Sequence, residues 1–132
     1  EAELRRQSAR MARALRRISR LARDAGIPVL VLTVPEGFLV NDAAHRNVRR
    51  VGFRVTPDML MSEAADRAVE AACVRAGARF HPVSQGFRER RGDAGLYYEL
   101  DRHFSPEGNA LYADLAVPVL AREVTDAMDK MP

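Results

Sequence analysis

The sequence predicts an α/β domain built on a parallel sheet, and three observations point there. A helix-period apolar stripe over residues 3–25 passes through one glycine into a nearly unbroken apolar run, 27–34. A second helix-period segment, 57–76, ends in the same way at Gly77 and passes into a second short strand, 78–83. Continuous apolarity without alternation marks a strand covered on both faces, as in a parallel sheet whose crossovers are helices.

Each element has its own grounds. In the first helix Leu4, Met11, Leu15, Ile18, Ala22 and Ala25 recur at spacings of 7, 4, 3, 4 and 3, a stripe that Leu21 widens, with arginines on the other faces. Gly26 suits a left-handed C-cap. The run 27–34 is rich in β-branched residues and is closed by Pro35. Glu36-Gly37 opens a loop, and Asn41-Asp42 can cap a short helix through Ala43, His45 and Val48. Thr56-Pro57-Asp58 places an N-cap residue, a proline at the first helical position and an acid in the first turn. A helix is therefore predicted over 57–76, with Leu60, Ala64, Ala68, Ala71, Ala72 and Ala76 along its apolar side as far as Gly77. The second strand is 78–83. Residues 84–95, polar and with three glycines, read as a surface loop. A further loop, 96–104, leads to Ser105-Pro106-Glu107, which repeats the cap-plus-proline signature and starts a helix over 106–130. Pro118 should bend or interrupt that helix.

Two strands cannot cover both faces of a parallel sheet, and such sheets usually hold about five. Residues 1–132 are therefore expected to be a single partial domain, whose sheet is completed by the remainder of the domain or by a second chain. No apolar run nears the ~20 residues of a membrane span. The one cysteine, Cys73, excludes a disulfide framework or a multi-cysteine zinc site and leaves the compartment open, cytoplasmic or periplasmic and extracellular. Three histidines 36 and 22 residues apart make no metal pattern, and no glycine-rich phosphate loop is present, so no cofactor or metal is expected. Cys73 reads as a small core residue, His45 among Arg46, Arg49 and Arg50 as solvated surface, and His81 as structural.

The net charge of +3 is unevenly placed. Residues 1–24 hold eight arginines against three acids, a balance of +5, and the remaining 108 residues hold 13 basic and 15 acidic groups, a balance of −2. Such asymmetry suits an anionic partner. No aromatic residue precedes Phe38 to stack on bases, so nucleic acid is not the expected partner. A solvated outer helix face explains the charge, and an interaction module binding an anionic partner is the alternative reading of the whole chain.

The segment richest in chemistry is 97–108. Asp101 and His103 stand two residues apart on a loop before a well-capped helix. Residues i and i+2 of an extended loop can point the same way, so Asp101 can accept a hydrogen bond from the His103 ring. That fixes the tautomer and leaves the other ring nitrogen as a general base, as a serine nucleophile requires. The same two residues also suit a turn acid and a surface histidine.

The Asp-x-His pair followed by Ser105-Pro106-Glu107-Gly108 and the Ala/Leu-rich segment 109–115 resembles the C-terminal block of the SGNH, or GDSL-type, hydrolases. The earlier elements agree in order, and the resemblance runs over about residues 12–128, most specifically over 97–112. It implies a three-layer α/β/α flavodoxin-like parallel-sheet domain of which this chain is the later part. It also implies a serine esterase or O-acyltransferase acting on an acyl ester or an O-acylated carbohydrate, with His103 as the base and Asp101 as its partner. The family's Gly-Asp-Ser block is missing, and Gly37 to Asp42 has the letters of its Gly-x-Asn-Asp block but two residues too many. Ser8, Ser19 and Ser62 fall in predicted helices, Ser84 in a polar loop and Ser105 at an N-cap, so the nucleophile is expected outside this chain. The alginate O-acetyltransferase-like proteins have a similar Asp-x-His-x-x-Pro-x-Gly block with the serine after it, and typically Trp where Phe104 stands here.

Overall fold

The structure, a computed structural model, describes residues 2–129. The described residues gather into two compact units. The first holds the chain up to Leu32, Ala64–His81 and the chain from Leu120 on; the second holds Thr33–Glu63 and Pro82–Val119.

In the first unit, α1 (Ala2–Asp24) packs along α4 (Ala64–Ala76), and each helix delivers a strand. At the end of α1 the Ile27 N–H reaches the Ala22 carbonyl at 2.7 Å and the Gly26 N–H reaches that of Arg23 at 3.0 Å, with Gly26 at φ 70°. Gly77 closes α4 with the same pair of bonds, to Cys73 and Val74. This glycine-dependent arrangement satisfies carbonyls that the helix end leaves over and turns the chain back. Strands β1 (Leu30–Leu32) and β2 (Arg79–His81) then pair in parallel, from Leu30 opposite Arg79 to Leu32 opposite His81. Against the stripe read from sequence, Ile18 and Leu21 are exposed, and α1 buries Ala12 and Ser19. The α4 face offers Ala72, Cys73 and Ala76; small side chains on both helices let the two backbones approach, and the larger ones fall to the side.

The expected three-layer α/β/α flavodoxin-like parallel sheet is not what the chain forms. The described residues are 65% helix and 6% strand, with a parallel sheet of two strands. The apolar run 27–34 misled because only its middle pairs. Pro28 has no N–H to give a ladder, Ile27 and Val34 are exposed, and Leu30–Leu32 are half-buried rather than covered on both faces. Pro82 closes β2 in the same way.

The second unit begins with α2 (Gly37–Val40) and α3 (Asp42–Arg50). Asn41, between them, is 1% exposed; its Oδ1 accepts the Ala44 N–H at 3.0 Å as the N-cap of α3, and its Nδ2 donates to the Asp93 carbonyl at 2.9 Å. The helix expected over 57–76 is broken: a 3-10 turn, Pro57–Met59, precedes Met61 at φ 68°, whose N–H donates to the Leu39 carbonyl at 2.8 Å, and α4 starts only at Ala64. The segment read as a polar loop instead contains α5 (Ser84–Glu89) and a 3-10 turn at Ala94–Leu96. Val83 and Phe87, four residues apart, are its buried anchors. The last helix, α6 (Pro106–Met128), runs through Pro118 without interruption; its expected end at Lys130 lies outside the described residues. No helix among those described is long and apolar enough to cross a membrane.

Candidate active site

The loop that carries Asp101 and His103 is a closed excursion from the core of the second unit. Tyr97 and Phe104 form an antiparallel bridge at its base. The Tyr98 N–H donates to the His103 carbonyl at 3.2 Å, and the Ser105 N–H to the Leu96 carbonyl at 3.1 Å. Beneath this neck lies an aromatic cluster. Phe87, fully buried on α5, stacks on Phe104 with centroids 5.0 Å apart and planes 16° apart; Tyr97 lies 5.2 Å from Phe104, and Tyr112 on α6 lies 5.7 Å from it. Aromatic contacts of this geometry stabilise beyond their burial. The Tyr97 hydroxyl donates to the Pro35 carbonyl at 2.9 Å, and burial, with the nearby Glu36 charge second, pushes its ionisation far above the usual phenol range.

Two glycines allow the neck to close. A Cβ on Gly37 would meet Tyr97 Cδ1 at 2.8 Å, and one on Gly108 would meet the Leu96 carbonyl oxygen at 2.0 Å. The start of α6 is fixed by Ser105, whose Oγ accepts the Gly108 N–H at 3.0 Å and donates to the Gly95 carbonyl at 2.5 Å. Ser105 is therefore a buried N-cap that ties two segments together.

At the tip, Asp101 Oδ1 accepts from the backbone N–H of His103 at 2.9 Å and also from its ring Nδ1. The backbone bond is the local i to i+2 turn that aspartate favours, and it sets the carboxylate where the ring can reach it. These two bonds from His103, backbone first, followed by the charges of His103 and Arg102, hold the Asp101 carboxyl below the usual carboxylate range. The ring is well exposed, at 84% of its side-chain surface. Nδ1 is occupied by Asp101, and Nε2 makes no hydrogen bond among the described residues. Arg102, between the pair, lies over the Phe53 ring at 5.2 Å and 3.7 Å from Glu36 Oε2, while Arg50 pairs with Glu99 at 2.5 Å. These contacts brace the tip from both sides.

Asp101 and His103 line an open groove of about 630 Å³. Its other walls are largely apolar, with Val34, Phe53 and Leu100 half or more exposed. Sequence reading brought the Asp101–His103 pair together but missed this groove, because Val34 was assigned to the end of a buried strand and nothing in the spacing of Phe53 and Leu100 joins them to it.

The other candidates take structural places. His45 is not solvated surface: it is 6% exposed, and its Nδ1–H donates to the Phe38 carbonyl at 2.8 Å. The spacing Asn41, His45, Val48 is the signal that puts it on the buried face of α3. His81 is half-buried in β2. Cys73 is buried in α4, and desolvation, with Glu70 second, raises its thiol pKa. Among the described residues no three His, Cys, Asp or Glu side chains gather as a metal site. Of the serines, Ser84 is buried and shares a hydrogen bond with Thr33 at 3.2 Å, and Ser19 is buried in α1. Compared with family models, curated proteins and solved structures, the chain matches none.

Proposed function

We propose that Asp101 and His103 are the general-base half of a serine-dependent acyl-transfer site, an esterase or O-acyltransferase whose nucleophilic hydroxyl comes from polypeptide outside these residues. The observation that carries this reading is the carboxylate on Nδ1 of a ring whose Nε2 is open to solvent. With its proton on Nδ1, the neutral ring presents a lone pair at Nε2. That nitrogen takes the serine proton as the oxygen attacks the acyl carbonyl, then returns it to the leaving alcohol. Water or a sugar hydroxyl repeats the two proton transfers in reverse to release the acyl group. Asp101, ionised throughout, holds the ring and stabilises the imidazolium. The apolar walls of the groove suit the acyl part of an ester, and backbone N–H groups for the oxyanion would come with the serine.

The test is hydrolysis of p-nitrophenyl acetate by the full-length protein. His103→Ala is expected to lower kcat/KM by about a hundredfold to ten-thousandfold, the usual worth of a positioned base. Wild-type turnover in that variant would refute the assignment.

A further inference from the structure

A second charged feature stands in the first unit, apart from the acyl-transfer reading. The groove between α1 and α4, about 570 Å³, is lined by Arg13, Arg16, Arg17, Arg20, Arg23 and Arg75. All six are exposed, and among the described residues none makes an ion pair and no carboxylate lines the groove. The five on α1 follow at spacings of 3, 1, 3 and 3, so several guanidiniums lie three or four residues apart on one face, where like charges destabilise a helix. Arg23 and Arg75 have a local partner in the negative end of the α4 dipole, and Arg23 Nη2 reaches the Gly77 turn, 2.9 Å from where a Cβ would stand. Arg13, Arg16, Arg17 and Arg20 have no such compensation.

The remaining lining residues are small. Ala76 and Gly77 complete this stretch, and past Arg13 and Arg16 the groove continues between Ala9, Ala12 and Ala68. From Arg13 to Arg23 the helix rises about 15 Å, an average of ~3.8 Å between successive arginines, close to the ~3.4 Å axial spacing of phosphates along one nucleic-acid strand. Neither helix carries an aromatic residue on which a base could stack. No apolar side chain larger than alanine lines the groove to enter a bilayer. A dense row of charge without bases or acyl chains is the chemistry of a condensed phosphate chain.

We propose that the α1–α4 groove binds inorganic polyphosphate, with Arg13, Arg16, Arg17 and Arg20 as paired donors to successive phosphates. Guanidinium forks match phosphate oxygens two at a time.

The experiment titrates the full chain into fluorescently labelled inorganic polyphosphate and follows anisotropy from 50 mM to 300 mM salt, with duplex DNA, oligo-dT and phosphatidylglycerol vesicles as parallel arms. Polyphosphate is expected to bind most tightly per phosphate, with log affinity falling linearly against log salt. The triple variant Arg13→Gln/Arg17→Gln/Arg20→Gln is expected to bind at least about tenfold more weakly and to flatten that slope by about 2–3. The corresponding Lys variant keeps the charge but loses the forks, and is expected to keep the wild-type salt slope while binding more weakly than wild type and more tightly than the Gln variant. If the Gln variant loses helix, Arg75→Gln on α4 replaces it, with at least a twofold loss expected. No binding at 50 mM salt, unchanged affinity in the Gln variant, or equal or tighter binding of DNA or vesicles per phosphate would each overturn the proposal.

Discussion

Replacing Ser105 by alanine separates two roles that its position beside His103 invites. In the structure its oxygen accepts the Gly108 N–H at 3.0 Å and donates to the Gly95 carbonyl at 2.5 Å, and the residue is 5% exposed. Loss of an N-cap acceptor costs about 1 kcal/mol. Loss of the second, part-buried bond adds about 1 kcal/mol, the usual net worth of a hydrogen bond. The Ser105→Ala protein should therefore be about 2 kcal/mol less stable. In urea this corresponds to a midpoint lower by about 1 M, for a denaturant slope of about 2 kcal/mol/M. Any ester hydrolysis, measured under conditions where the variant is folded, should fall by less than about tenfold, since the oxygen is committed to the cap. A midpoint unchanged within about 0.2 M, or abolished turnover in a fully folded variant, would refute the reasoning.

Other perturbations follow from the same loop and its supports. Phe87→Ala empties the centre of the aromatic cluster and should cost about 3–5 kcal/mol in urea unfolding; a loss below about 1 kcal/mol would mean that the cluster does not anchor the neck. Asp101 has its folded-state pKa lowered by bonds from His103, so its contribution to stability is present above the ordinary carboxylate value of about 3.9 and is lost as pH falls through the lower folded value. A carbon-detected NMR titration should place its midpoint below that ordinary value, and a midpoint at or above it would mean that the pair does not form. Cys73, buried and with a raised thiol pKa, should resist iodoacetamide at neutral pH in the folded protein and react once urea unfolds it.

Local chemistry was the most legible part of the sequence. The cap of α3 at Asn41, the proline start at Pro106 and the glycine ends at Gly26 and Gly77 are encoded by a few adjacent residues, so they can be read without knowing what packs where; the same signature at Pro57 starts only a 3-10 turn. The extent of the sheet could not be read this way. An apolar run is equally compatible with a long strand buried on both faces and with three paired residues between prolines and exposed valine and isoleucine. α5 was hidden by its polar letters and by Gly86, where a Cβ would press on the Leu115 side chain, 2.6 Å from Cδ1. At the candidate site, the Asp101–His103 spacing announced the pair. The neck that holds it depends on Tyr97, Phe104 and Phe87, and no periodicity joins those three positions.

In the proposed mechanism Asp101 holds the His103 ring with its proton on Nδ1 and leaves Nε2 as the base. Long-range nitrogen–carbon NMR correlation of His103 above its titration midpoint measures this directly. The Nδ1–H tautomer is expected to predominate in the wild-type chain and to give way to Nε2–H in Asp101→Asn. A wild-type ring already in the Nε2–H form, or a tautomer unmoved by the substitution, would contradict it.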